Sequence, residues 1–193
     1  MTIAACSRCL ILVMLFSVTT QGHAQGNNQA WQALREGRAL LMLRHALAPG
    51  TGDPSHFVLD DCSSQRNLSA QGRAQARAWQ ALLARHDITE ARVFTSQWCR
   101  SRDTATGMAV GEVIEWPALN SFFRNRNAGP GQTRDTIRLV NDLGPGLPVI
   151  LVSHQVNITA LTGVFPASNE GIVLALPLSE SPTVLGRVSP SSR

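Results

Sequence analysis

A chain of 193 residues with no internal repeat and no long linker has room for one ordinary domain with a proper core, which argues against several small modules. All seventeen positive residues are arginine and the formal net charge is +4, a balance that favours anionic ligands such as phosphate esters. Nucleic acid is not expected as a partner, because the arginines are scattered and only four tryptophans and six phenylalanines are available for stacking.

The first stretch reads as an export signal. Arg8 is the only charge before the apolar run from Leu10 to Phe16, and Gly22-His23-Ala24 places small residues at the two positions a signal peptidase reads. The run is too short to span a bilayer. Residues 1–24 are therefore expected to be a cleaved signal peptide rather than a retained anchor. That leaves 25–193 as one periplasmic or secreted domain with no integral membrane segment. Cys6 and Cys9 depart with the signal. Cys62 and Cys99 remain, an even number in an oxidising compartment, and are expected to form a disulfide. No CxxC or HxxxH spacing accompanies that pair, so no metal is expected.

Asn28 to Glu36 predicts a short helix leading into Leu40-Leu41-Met42-Leu43-Arg44-His45. Four apolar residues are too few for a helix. They describe a buried strand that delivers a cation and an imidazole to its C-terminal end, ahead of the loop Pro49-Gly50-Thr51-Gly52-Asp53-Pro54. Asp60 to Asn67 is polar and aperiodic, hence loop. Ser69 then caps a helix in which Ala74, Ala78, Trp79, Leu82 and Leu83 recur at helical spacing up to His86. Ala91 to Ser96 is a second strand, Trp98 to Val110 a helix, and Val113 to Trp116 a third strand stopped by Pro117. Thr133 to Leu143 is helical, and Pro148 to His154 is another buried strand ending on a histidine. Val156 to Leu161 continues as helix, and Gly171 to Leu176 is a last strand before a Pro/Ser-rich tail. The alternation predicts an α/β fold, a three-layer sandwich whose mostly parallel sheet carries helices on both faces.

Three of these strands end on polar groups that belong together: Arg44-His45, Thr95-Ser96 leading into Arg100, and Ser153-His154. In a parallel sheet those ends share one edge, where ligands of open α/β sheets bind. Two guanidiniums can hold phosphoryl oxygens in bidentate geometry while a neutral imidazole attacks phosphorus and carries it covalently, with no cofactor. His45 is the better nucleophile, because Arg44 and the adjoining loop form an anion cradle.

The same residues resemble the histidine phosphatase superfamily, which includes phosphoglycerate mutases and many phosphatases. Its opening Arg-His-Gly corresponds to Arg44-His45-Ala46, with alanine in the glycine position. Its Leu-Ser/Thr-x-x-Gly-x-x-Gln-Ala signature looks like Leu68 to Ala76. The pattern Ser-x-x-x-Arg-x-x-x-Thr-Ala matches Ser96, Arg100, Thr104 and Ala105, and the final strand and histidine match Val149 to His154. Four motifs in order, spread over Leu40 to Leu176, make the resemblance specific. It implies His45 as nucleophile, with Arg44, Arg100 and His154 binding and stabilising the phosphoryl group.

The proton donor departs from the family. Where the mutase-like branch has a glutamate after Leu-Asn, Leu119-Asn120 is followed by Ser121; where the phytase-like branch has an aspartate, His154 is followed by Gln155. Asp53 and Glu170 are the remaining acid candidates, unless the leaving group needs little help. Gln155 and Asn157 are candidate substrate contacts. Arg66 and Arg102 read mainly as solvated, and His56 and His86 as exposed. The short connection between Arg100 and His154 implies a small, open site. The chain is thus expected to be an exported, metal-independent phosphomonoesterase. Its expected substrate is a phosphorylated small molecule or envelope glycolipid, as in the compact members that act on heptose phosphate of the lipopolysaccharide core. The alternative is a phosphatase-fold module that binds phosphorylated ligands without turnover.

Overall fold

The structure is a computed structural model and describes residues 21–190. Residues 1–20, most of the expected signal peptide together with Cys6 and Cys9, lie outside the described residues; Gln21–Ala24 opens the first helix. The elements run α1 (Gln21–Arg35), β1 (Ala39–Arg44), α2 (Ala70–Ala84), β2 (Arg92–Thr95), α3 (Cys99–Met108), β3 (Val113–Glu115), α4 (Gly129–Asn141), β4 (Val149–Ser153), α5 (Gln155–Thr162), β5 (Gly171–Ala175) and β6 (Val184–Val188). No described helix is long and apolar enough to cross a membrane.

The strands form one sheet in the order β3-β2-β4-β1-β5-β6. β3, β2, β4 and β1 pair in parallel, whereas β5 lies antiparallel to β1 and β6 antiparallel to β5. Strand alternation divides β1 between two cores, which is the signature of a sheet covered on both faces. Leu41 and Leu43 join Leu34, Trp79, Leu83 and Met108 of α1, α2 and α3. Leu40 and Met42 join Val140, Ile158 and Leu161 of α4 and α5 on the other side. Each fully buried leucine contributes about 2–3 kcal/mol by transfer from water. The three-layer sandwich is therefore the one expected.

The sheet is mostly parallel, as expected, and its antiparallel edge has a physical cause. The Pro/Ser-rich tail contains a further strand, β6, that the sequence pattern did not show. α5 has only eight residues, and the chain returns through Gly163–Glu170 to the sheet edge it left, so β5 enters beside the end of β1 and must run antiparallel. α4 also begins four residues earlier than Thr133, because Pro130 sits in its first turn, where a missing N–H costs nothing.

The start of α2 is pressed onto the loop after β1. Ser69 accepts from the Gly72 N–H as the cap, and a Cβ at Gly72 would fall 2.1 Å from the Leu47 carbonyl oxygen. Only glycine permits this approach.

Candidate active site

β2, β4 and β1 are adjacent and parallel, so their C-terminal ends place Ser96, His154 and Arg44-His45 side by side. A cleft of about 500 Å³, within the ordinary range for small-molecule sites, opens over these ends.

His45 is 3% exposed. Its Nδ1 lies 2.8 Å from the Ala46 carbonyl, which can only accept, so Nδ1 carries the proton. Nε2 is left with its lone pair and accepts from Arg100 Nε at 3.2 Å. Burial, then the Arg100 cation, hold the imidazole well below its ordinary pKa, against the pull of the Ala46 carbonyl. His45 is thus a neutral imidazole whose unprotonated nitrogen faces the arginine cluster. Alanine at the glycine position is accommodated without cost: Ala46 is fully buried among Ala48, Leu68 and Ala76, and its N–H donates to Thr104 Oγ1.

His154 is also 3% exposed, its ring centroid 5.4 Å from that of His45. Its Nε2 lies 2.8 Å from Ser96 Oγ, and its Nδ1 faces Arg100 Nη2 at 3.4 Å. Because Arg100 can only donate, Nδ1 is the acceptor and Nε2–H points to Ser96. Burial, followed by Arg100 and His45, pushes this imidazole well below its ordinary value too.

Arg100 links the whole site. From α3 it reaches His45, His154 and both oxygens of Asp53, at 2.8 Å for Nη1 to Oδ1 and 3.2 Å for Nη2 to Oδ2. Burial lowers its pKa to about 10 despite the Asp53 carboxylate, leaving it cationic in neutral solution. Arg44 donates from Nη1 to the Pro166 carbonyl, while its Nε is buried without a partner.

Several residues stand elsewhere than expected. Arg66 is a member of the site, half-buried in the cleft wall and held by the Gly52 and Ala48 carbonyls. Arg102 is not: it pairs with Glu115 and contacts both disulfide sulfurs. Glu170 stands outside the cleft lining, its carboxylate held by Arg187 and the Ala167 N–H. Asn157 lies outside the cleft lining, its amide donating to the Asn120 carbonyl. Gln155 does line the cleft, with its amide on Thr159. Asp53 reaches the site as a carboxylate. Burial alone would raise its pKa, but Arg100, the Arg66 N–H and the Trp98 indole outweigh it and hold the group below its usual value. His86 is stacked on Trp31 at 4.1 Å rather than free.

Sequence reasoning missed Trp98, Arg124 and the phenylalanines Phe57, Phe123 and Phe165, all of which line the cleft. Arg124 and the phenylalanines lie in aperiodic segments, where no local pattern distinguishes them from loop residues, and Trp98 stands at the N-cap of α3, where helical spacing gives no sign of its direction.

Cys62 and Cys99 form the expected disulfide, with Cα atoms 5.7 Å apart. Beside it Gln65 accepts from the Cys99 N–H and donates to the Val58 and Leu59 carbonyls. The loop after β1 is thereby tied to the first turn of α3, immediately before Arg100.

The two histidines predict a pH response. A folded-state pKa below the ordinary 6.5 means that the unfolded chain binds the protons first. Their contribution is complete above about pH 6.5 and is lost as pH falls from there through the depressed values. Urea midpoints should therefore fall progressively below pH 6.5, and a His45→Gln, His154→Gln double variant should flatten that limb.

The family model for the histidine phosphatase superfamily (branch 1) matches residues 40–138, just over half of the chain. No curated protein matches in sequence. Among solved structures, the protein histidine phosphatase SixA complexed with tungstate is 17% identical with a TM-score of 0.55, the match covering 79% of this chain and 97% of that one. The mycobacterial glucosyl-3-phosphoglycerate phosphatase is 19% identical, with a TM-score of 0.52 and coverage of 80% and 99%. Phosphoserine phosphatase from Entamoeba histolytica is 13% identical, with a TM-score of 0.51 and coverage of 80% and 98%. These likenesses are of fold, while the matched family segment contains β1, α2, β2 and α3, including Arg44, His45 and Arg100. The chain belongs to the histidine phosphatase superfamily, branch 1, and is a histidine-type phosphatase.

Proposed function

We propose that the protein is an exported phosphomonoesterase that needs no metal and works through a phosphohistidine on His45. The observation that carries this is the His45 Nε2 lone pair, presented next to Arg100 at the floor of a cleft lined also by Arg44, Arg66 and Arg124. Attack by Nε2 forms the P–N bond as the ester P–O bond breaks. The guanidiniums stabilise the charge on the equatorial oxygens, the role a metal fills elsewhere. The Ala46 carbonyl holds the Nδ1 proton while the ring becomes cationic.

A phosphorylated sugar or envelope glycolipid suits the mouth of this cleft. Phe57, Phe123 and Phe165 surround it, Phe165 being 67% exposed, and Arg124 and Arg126 lie over the Phe57 and Phe123 rings. Aromatic faces accept the C–H face of a sugar or an acyl chain, and the arginines accept further anionic groups. The disulfide and the apolar run before Ala24 support export. The test is hydrolysis of p-nitrophenyl phosphate by the oxidised protein in EDTA, with turnover quenched in alkaline denaturant. The expected result is activity and an acid-labile, base-stable phosphoryl group on the protein. Activity that requires an added divalent metal would overturn the reading.

A further inference from the structure

Asp53 is the only carboxylate lining the cleft among the described residues, and it occupies the donors that a phosphoryl group needs. Its Oδ1 accepts from Arg100 Nη1 at 2.8 Å and from the Arg66 backbone N–H at 3.1 Å. Oδ2 accepts from Arg100 Nη2 at 3.2 Å and from Trp98 Nε1 at 3.0 Å. The side chain is 8% exposed.

Arg100 has five N–H groups, and all are engaged. Nε serves His45, Nη1 serves Asp53 and the Arg66 carbonyl at 3.4 Å, and Nη2 serves Asp53 and His154. A phosphoryl group that reaches His45 Nε2 must therefore take donors from an existing acceptor. Asp53 is the acceptor with the same charge and the same bidentate geometry as the incoming group.

We propose that Asp53 is an internal stand-in for substrate: the phosphoryl group displaces it from Arg100, and the released carboxyl becomes the proton donor to the leaving oxygen. The inference rests on the phosphohistidine reading above. Only the side chain has to turn, because Arg124 holds the Asp53 and Pro54 carbonyls and so anchors the backbone. Displacement reverses the electrostatics at Asp53. It loses the Arg100 fork and gains a phosphate dianion as neighbour, so a carboxylate held ionised in the free protein takes up a proton from solvent. The charged and titratable groups facing it are Arg100 of α3, Arg66 and Arg124 of the flanking loops, and, through Arg100, His45 and His154.

The steps balance. His45 Nε2 bonds to phosphorus as the P–O(R) bond breaks, and the departing oxygen takes the Asp53 proton to leave as ROH. Water then attacks phosphorus and gives its proton to the Asp53 carboxylate, the P–N bond breaks, and inorganic phosphate leaves. Asp53 loses the proton to solvent on returning to Arg100. Ser121, at the position where the mutase-like branch has a glutamate, lines the same cleft as Asp53.

The test compares wild type with Asp53→Asn, which keeps the shape and one acceptor. The probe is tungstate, a tetrahedral dianion that carries no proton near pH 7. Calorimetry in two buffers of different protonation enthalpy should show proton uptake on tungstate binding by wild type. The variant should lack that uptake and bind tungstate about tenfold tighter or more, because no charge competes. Its turnover of an alkyl phosphate should fall about 100-fold or more, the usual worth of a general acid, and that of p-nitrophenyl phosphate by less than about tenfold. Equal uptake in both proteins, weaker tungstate binding by the variant, or equal losses on the two esters would overturn the proposal and leave Asp53 as a positioning residue for Arg100. Failure of the phosphohistidine reading shows separately, as an absent phosphoenzyme with the tungstate response intact.

Discussion

Replacing His45 by alanine is expected to lower phosphate-ester turnover by on the order of 10⁴-fold or more, the scale seen when an enzyme loses its nucleophile. The acid-labile phosphoenzyme should disappear with it. The structure explains why no neighbour substitutes. His154 is the other imidazole in the cleft, but its Nε2 is directed at Ser96 and its Nδ1 lies behind the Arg100 guanidinium. Binding of a phosphate ester should survive within about tenfold, because Arg44, Arg66 and Arg100 supply charge-assisted donors and His45 is neutral. The measurement is single-turnover kinetics paired with equilibrium binding of a non-hydrolysed phosphonate. A variant that kept both turnover and phosphoenzyme would place the nucleophile elsewhere. A wild type that bound the phosphonate but turned over no ester would support the binding-module alternative.

Opening the Cys62–Cys99 bond is expected to produce the largest loss of stability. Loop-closure entropy for the observed separation of 37 residues gives about 4 kcal/mol. For a domain of this size that corresponds to roughly 8–16 °C in Tm. The bond joins the segment Cys62 to Arg66 to the first turn of α3, directly before Arg100. Only hydrogen bonds then hold the loop to α3, from the Cys99 N–H to Gln65 and from Arg100 and Trp98 to Asp53 and the Arg66 carbonyl, so Arg66 and Asp53 should shift against Arg100. A Cys62→Ser, Cys99→Ser double variant should therefore show a raised KM as well as a lower unfolding midpoint, measured in urea against the oxidised protein. An unchanged midpoint would mean that packing of α3 against α2 already restrains the segment.

Local pattern determined much of the fold. The apolar runs Leu40–Leu43 and Val149–Val152 can only be satisfied as central strands, and their polar ends arrive at one edge because parallel pairing leaves no other arrangement. Ser69 and Gly72 mark the start of α2 by chemistry that is visible residue by residue. β6 was hidden, because Val184 to Val188 follows several prolines and serines and owes its strand character to pairing with β5. Edge strands take conformation from their neighbour more than from their own composition.

The same division holds within the site. The residues proposed to carry the chemistry, Arg44, His45, Arg100 and His154, were legible from local pattern, each near the end of a strongly patterned element, as was the pair Cys62 and Cys99. The ionisation of those groups and their neighbours come from contacts made on folding. The imidazole tautomers depend on the Ala46 carbonyl, on Ser96 and on Arg100. Glu170 and Asp53 are equivalent as letters; one is spent on Arg187 at the surface and the other lies on the nucleophile's own arginine. Arg66 and Arg124 enter the cleft from aperiodic loops and Trp98 from the N-cap of α3, where side-chain direction is set by contacts distant in sequence. Periodicity reports which face a residue takes along its own element, whereas ionisation, hydrogen-bond partners and loop placement depend on groups that only folding brings within a few ångströms.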